Sequence, residues 1–498
     1  MARSRPAILA GSPTLAARSY LAPLALWPTF ALLLLYALIY MQFAAQLAAF
    51  PFDLDQGEGY DAWSAWLINL GQWPYTNNSE FPYYSSNYPP LWSYLVSIPM
   101  AWLGPGLAPA RIVSSLASVL VAIVLGLAAR RAVGSTMAGV LAGGFFLASP
   151  YVFHTTPLAR VNSTALLAAV VGLSLVETPT RARQMLACLA FAAALFTKQT
   201  TLDAVAAGVV FLALRNLRAG LVAGAVVGGI GALGLCVLLL ATGGAFWLNS
   251  VSGNANPVDT QQLAFYLTNF GLLHCVLLAM AAAELLRGLR LRAVSAWMVY
   301  LLTAGLASLG VAKWGAGESY FLGFIAAACV LAASWAARTF ASSAAHTRVA
   351  VAAALLLQAL LLSHGSVSDA VKWLPDRGPQ RAFLGRAPAP ADRLAGEELT
   401  EAIRQHPGPA LVEDPSFAVA AGRGVVGNAT HLRNLYQAGL WDPTPLVDDL
   451  DGHRYAIVVL NAQLYPEPVL AAIGRSYFLE RTVRVNGATY HVFLPGSD

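Results

Sequence analysis

Nine apolar runs recur along this chain, near residues 21–49, 109–129, 134–153, 161–177, 220–241, 264–286, 293–312, 318–337 and 349–365. A helix needs about 20 apolar residues to cross the hydrocarbon of a bilayer. Within that hydrocarbon every backbone N–H and C=O must be satisfied by the protein itself. The runs therefore restrict the fold to a mainly α, polytopic bundle of transmembrane helices. Two shorter apolar halves lie between 184 and 214, joined by "FTKQTTLD". Basic clusters separate the runs: Arg3, Arg5 and Arg18; Arg130 and Arg131; Arg181 and Arg183; Arg215 and Arg218; Arg287, Arg290 and Arg292; Arg338 with Arg348. Cytoplasmic loops collect such residues. All the clusters reach the cytoplasm together only if 184–214 is a hairpin of two short helices. The threading predicts about eleven spans, with the N-terminus cytoplasmic and the C-terminus outside.

With 57% hydrophobic and 11% charged residues, the chain is far from a water-soluble globular composition. Its net charge of +5 is mostly arginine lying between apolar runs, as loops require, and not a nucleic-acid face. Cys188, Cys236, Cys275 and Cys329 fall inside apolar runs, where they act as small hydrophobes and not as a disulfide framework. The start combines a basic arm with an apolar stretch too long for a signal-peptide core and no clear cleavage site, which predicts an uncleaved first span in the inner (plasma) membrane.

Three segments fall outside on this threading. The first outer loop, 51–108, holds "YDAWSAWLINLGQW" and "PPLWSYLVSIPMAWLG", read as helices lying in the interface with Trp and Tyr at headgroup level. The second, about 242–263, is a polar loop. The third, 366–498, has globular composition and alternates helical patterns with short apolar strands. These features divide the chain into a transmembrane domain, 1–365, and an extracytoplasmic α/β domain, 366–498.

Just beyond the first span, "FPFDLDQGEGYDAW" gathers Asp53, Asp55, Glu58 and Asp61. Acids there do little for topology, while Gly57 and Gly59 permit close backbone approach. The loop is built to present carboxylates, with Asp53 nearest the span and Asp61 expected to begin an interfacial helix, where an acid favours the dipole. Arg111, Arg160, Lys198 and Lys313 break the positive-inside pattern at outer span ends, and they include two of the chain's three lysines. Cations at such depth are functional candidates; snorkelling to outer headgroups is the alternative. "TKQT" around Lys198 predicts a polar, cavity-lining break. "KWGAGESYFLG" adds Glu318 and Tyr320, or else a Lys313–Glu318 ion pair. His154 reads as an interfacial hydrogen-bonding residue, and Glu413 and Asp414 as structural or acceptor-facing. Carboxylates above cations suit a lipid-linked phosphate donor: the cations stabilise charge on a departing phosphate, and a carboxylate takes the proton of an attacking hydroxyl.

The acidic loop after the first span, "NYPPL" at Asn87–Leu91, "FTKQT" at Phe196–Thr200 and an outer tail together resemble bacterial GT-C membrane glycosyltransferases of the cell envelope. The branch resembled is that of the protein-mannosyltransferases and aminoarabinose transferases, glycosyltransferase family 39-like. The resemblance spans roughly the first 340 residues by topology. It implies a catalytic carboxylate in the first outer loop and a polyprenyl-phosphate sugar as donor of a hexosyl or pentosyl unit. The acceptor would be a lipid, glycan or protein, and a divalent metal is the one cofactor such a loop could take. Many relatives carry adjacent Asp and Glu; here "DQGEG" separates Asp55 from Glu58, leaving Asp53, Asp55 and Glu58 as catalytic candidates, Asp55 foremost and Glu58 its helper. Where similar proteins have Arg-Val-Asp, this chain reads "ARVNST", with Asn162 in place of the acid. Lys198, Arg160, Lys313, Arg111, Asn162, Tyr88, Glu318 and Tyr320 are the expected substrate contacts. The same cations would also suit a lipid or solute transporter, and the topology a noncatalytic scaffold. A transporter commonly has interrupted helices in both halves, and only one segment is strongly interrupted here.

Overall fold

The computed structural model describes residues 24–254, 256–363 and 387–496. Arg3, Arg5, Arg18 and the start of the first apolar run lie outside the described residues. Helix α1, Trp27–Ala49, opens with Pro28 in its first turn, where a missing N–H costs nothing. It ends at extended Phe50, ahead of Pro51. Residues 51–108 then form α2, Gly57–Asn69, and α3, Leu91–Leu103, with Trp102 80% exposed. Helix α4, Leu107–Val133, finishes with Arg130 and Arg131 in its last turn. It is followed by α5, Thr136–Ala148, α6, Pro150–Thr155, and α7, Asn162–Val176.

The two shorter apolar halves become α8, Arg181–Thr197, and α9, Leu202–Arg215, joined by a single 3₁₀ turn at Gln199–Thr201. Helices α10, Leu217–Ala241, and α11, Ala245–Ser250, lead to a sharp break in an apolar run. The run near 264–286 is split into α12, Thr260–Leu273, and α13, Cys275–Arg290, bent by 81° at His274. The break is sustained by a side chain from far along the chain. Gln358 donates to the Leu273 carbonyl at 2.7 Å and accepts from the Leu277 N–H at 2.9 Å, so the freed backbone groups are paired. Helices α14, Ala296–Ser308, α15, Leu322–Ser342, and α16, Ala345–Leu361, complete the bundle, with α15 at its centre.

Among the described residues four helices are long and apolar enough to span a bilayer, or five with the bent pair, and shorter apolar helices flank them. The chain is a multi-pass membrane protein. Its two ends differ in charge. At one, Glu284 binds Arg287 at 2.6 Å and lies 3.4 Å from Arg338, which donates to the Ala132 carbonyl beside Arg130 and Arg131. At the other end lies the acidic loop.

After residue 387 come α17, Pro390–Gln405, α18, Ser416–Ala420, α19, Ala429–Gln437, α20, Thr444–Asp451, and α21, Glu467–Ser476. They pack on a sheet of order β1-β2-β4-β3, formed by Ala410–Val412, Ile457–Leu460, Tyr477–Val485 (β3) and Ala488–Pro495 (β4). Only β1 and β2 are parallel. Phe50, Phe52 and Leu54 of the first loop are buried among Val412, Phe417, Ile457, Val459 and Tyr490. The loop and the tail therefore share one core. The tail's own acids serve that packing: Glu413 accepts the backbone N–H groups of Asn461, Ala462, Gln463 and Leu464, and Asp414 accepts from the Tyr490 hydroxyl at 2.6 Å.

Candidate functional site

Three of the four loop acids are buried, each for a different reason. Glu58, in the first turn of α2, forms a fully buried ion pair with Arg111, Nε to Oε1 and Nη2 to Oε2 both at 2.8 Å. Its oxygens also accept from Ala159 N–H at 2.7 Å, Leu54 N–H at 2.9 Å and Asp55 N–H at 3.2 Å. Nothing is left on this carboxylate to take a proton from substrate. Arg111 is likewise spent: its remaining N–H groups donate to the carbonyls of Leu47, Phe50 and Phe52. The Arg111 guanidinium, expected at the substrate or at the headgroups, turns inward here and closes the end of α1 onto the loop. Asp53 accepts from Gly59 N–H at 2.6 Å and Ser416 N–H at 2.9 Å, and its own N–H donates to Ser416 Oγ. It fastens the loop to the tail.

Both loop glycines make room for groups of the protein. A Cβ at Gly57 would lie 1.2 Å from Arg160 Nη1, and one at Gly59 would lie 2.6 Å from Pro415 and 2.9 Å from Asp53 Oδ1. Arg160, in the turn before α7, rests across the start of α2. From there its Nε is 3.6 Å from Asp55 Oδ2 and 3.4 Å from Asp61 Oδ2, while Nη2 donates to the Tyr88 hydroxyl at 3.3 Å. Asp55 retains 26% side-chain exposure and Asp61 only 6%. Asp61 is not in the first turn of its helix, where the sequence placed it, but a turn further in. Burial pushes its carboxyl up to about 7, against the opposing pull of Arg160. Nothing in its local pattern marked it, because its partner Arg160 lies 99 positions further along the chain. The other face, with Trp63 and Trp66, borders an apolar cavity of about 440 Å³ that reaches Leu103, Leu107 and Ile112.

Lys198 ends α8 in extended conformation, and its ammonium donates to Asn162 Oδ1 at 2.7 Å and sits 5.2 Å from the centre of the Tyr320 ring. Both partners are neutral. The half-buried Lys313 has no ion pair among the described residues, and Glu318 binds His154 Nδ1 at 2.9 Å instead, so the expected Lys313–Glu318 pair does not form. Asp55, Asp61, Arg160, Tyr88, Asn162, Lys198 and Tyr320 therefore meet in one region at the end of the bundle that carries the acidic loop, and Arg111, Glu58 and Asp53 stand behind it. Among the described residues no three His, Cys, Asp or Glu side chains gather to hold a metal; Asp55 and Asp61 converge on a guanidinium.

No family model and no curated protein matches the sequence. The fold does match solved structures. ArnT from Cupriavidus metallidurans, bound to undecaprenyl phosphate, superposes with TM-score 0.57 at 15% identity, over 92% of this chain and 97% of that one. Its apo state gives 0.59 at 14% identity, over 96% and 98%. The archaeal oligosaccharyltransferase AglB from Archaeoglobus fulgidus, in complex with an inhibitory peptide and a dolichol-phosphate, gives 0.51 at 13% identity, over 93% and 74%. At such identities the likeness is one of fold.

Proposed function

We propose that this chain, having the GT-C fold, is an integral-membrane glycosyltransferase that moves a sugar from a polyprenyl-phosphate carrier to an acceptor hydroxyl at the extracytoplasmic face. The observation that carries the reading is the pairing of an ammonium held by neutral groups, Lys198 on Asn162 and Tyr320, with the exposed carboxylate Asp55 in the same region. Two structural neighbours are complexes with polyprenyl phosphates, ArnT with undecaprenyl phosphate and AglB with a dolichol-phosphate.

In the reaction the acceptor oxygen bonds to the anomeric carbon as the bond from that carbon to the phosphate oxygen breaks. The bonding pair leaves with the phosphate, and the hydroxyl proton passes to Asp55. Lys198, with Lys313, meets the negative charge that grows on the departing phosphate. Glu58 holds Asp55 by its backbone and takes no proton itself. Lys198→Met in the purified protein is expected to weaken undecaprenyl phosphate binding roughly 10–100-fold, the worth of a hydrogen bond to a charged group. Asp55→Asn should keep that binding and lose about 10²–10⁴-fold in transfer. Unchanged binding in Lys198→Met would return that residue to snorkelling and remove the main support for the reading.

A further inference from the structure

Arg160 is poorly placed to serve a phosphate, since its Nε lies within 3.6 Å of two carboxylates at once. One of the two, Asp55, reaches solvent. The other, Asp61, is buried, and its Oδ2 makes no hydrogen bond, although Arg160 Nε stands 3.4 Å away. A buried carboxylate oxygen is costly to leave half satisfied. The groups that face Asp61 are few: Arg160 and Lys198 as cations, Asp55 and Glu58 as acids, and the hydroxyls of Tyr84 and Tyr88. Of these, Glu58 is committed to Arg111 and Lys198 to Asn162. Asp61 therefore acts on the site chiefly through Arg160.

We propose that Asp61 is a positioning residue for the transfer proposed above: it anchors Arg160 across Gly57 and, by sharing that guanidinium, keeps it from pairing wholly with Asp55. The inference rests on the glycosyltransferase reading. A carboxylate that owns an arginine is stabilised in its charged form and accepts a proton less readily. A carboxylate that divides the arginine with a neighbour, and is repelled by that neighbour's charge, accepts one more readily. The geometry supplies both conditions, with a single cation lying between Asp55, just before α2, and Asp61 within it. Gly57 is what allows it, because any side chain there would occupy the position of Arg160 Nη1.

Asp61→Asn removes the competing charge while nearly preserving shape. Arg160 then turns to Asp55, and turnover falls below wild type above about pH 7, where Asp61 carries its charge, while the two proteins converge at lower pH, where Asp61 is itself protonated. The plateau rate falls, by less than the roughly 10²–10⁴-fold expected for loss of the base itself. Asp61→Glu restores turnover above about pH 7 towards wild type, and undecaprenyl phosphate affinity is the same in all three proteins. A second readout needs no turnover. In infrared titration of the purified protein, one buried carboxyl deprotonates near neutral pH in wild type and in Asp55→Asn, and that transition is absent from Asp61→Asn. If Asp55→Asn abolishes transfer while Asp61→Asn leaves both the profile and the infrared titration unchanged, the proposal for Asp61 is overturned and the enzyme reading stands. If Asp55→Asn transfers sugar normally, Asp55 is not the base and the proposal for Asp61 falls with that assignment; a wild-type protein that transfers no sugar is what overturns the enzyme reading. A uniform loss at every pH in Asp61→Asn, not relieved by Asp61→Glu, assigns the residue to folding alone.

Discussion

Glu58 is the acid on which the sequence and the structure most invite different experiments. Glu58→Gln keeps the side-chain volume and removes its charge. In the folded protein Arg111 would then be a buried guanidinium with three carbonyl partners and no anion. Three backbone N–H groups, of Leu54, Asp55 and Ala159, would have to share an amide that offers one acceptor oxygen in place of two. Breaking a fully buried pair by removing one partner costs about 3–5 kcal/mol. The lost N–H bond adds about 1–3 kcal/mol to that cost. Exchanging both members for apolar groups is far less damaging, so Glu58→Met with Arg111→Met should recover part of the loss. Thermal unfolding of the two single variants and the double variant in detergent measures this directly, the coupling energy being the departure from additivity. A general base would behave in the opposite way, with Glu58→Gln unfolding at the wild-type temperature and transfer falling by about 10²–10⁴-fold. That outcome, or a double variant as unstable as the sum of the singles, would refute the structural role given to the pair.

Gln358→Leu should destabilise the bundle by about 1–3 kcal/mol per orphaned backbone group, read as a lower unfolding temperature, and equal stability would show that the bend at His274 does not depend on this amide. Asp61 makes stability pH-dependent with a definite sign. Its carboxyl is pushed up to about 7 from 3.8, so the native state binds more protons than the unfolded chain across that window, and wild type should lose stability relative to Asp61→Asn as pH rises from about 4 to 7. The difference in unfolding temperature, followed against pH, checks this, and a flat difference contradicts it. A cysteine in place of the exposed Glu397, in a background without the exposed Cys236 and Cys275, should react with an impermeant maleimide on intact spheroplasts; protection until the membrane is broken would reverse the threading.

Much of the framework could be read from hydropathy. Helix-length runs, arginines at their ends and a polar break at "FTKQT" are local signals, and the break between α8 and α9 follows from them. The split at His274 was not legible, because "LAFYLTNFGLLHCVLLAMAAAELL" is continuously apolar and the amide that pairs its broken backbone lies 81 residues or more away. The loop acids were found together, but their separate roles were hidden. Glu58 is decided by Arg111, 53 positions on, and Asp53 by Ser416, 363 positions on. A spacing of acids along a loop carries no information about which of them a distant arginine or serine will cover. Lys198 was recognisable because a lysine in a non-helical break between apolar helices has few structural uses.

The core shared by Phe50, Phe52 and Leu54 with Val412, Ile457, Val459 and Tyr490 also fixes when the site can come into being. Translation proceeds from the N-terminus at about 5–20 residues per second, so the loop that bears Asp55 leaves the ribosome some 350–440 residues before its packing partners. Asp53 meanwhile lacks Ser416, and the apolar side chains of the loop have no sheet to cover them. Every transmembrane helix can already be inserted while the outer end of the bundle is still unassembled. The carboxylates take up their final places only after the last strands have been made, which ties assembly of this region to synthesis of the tail.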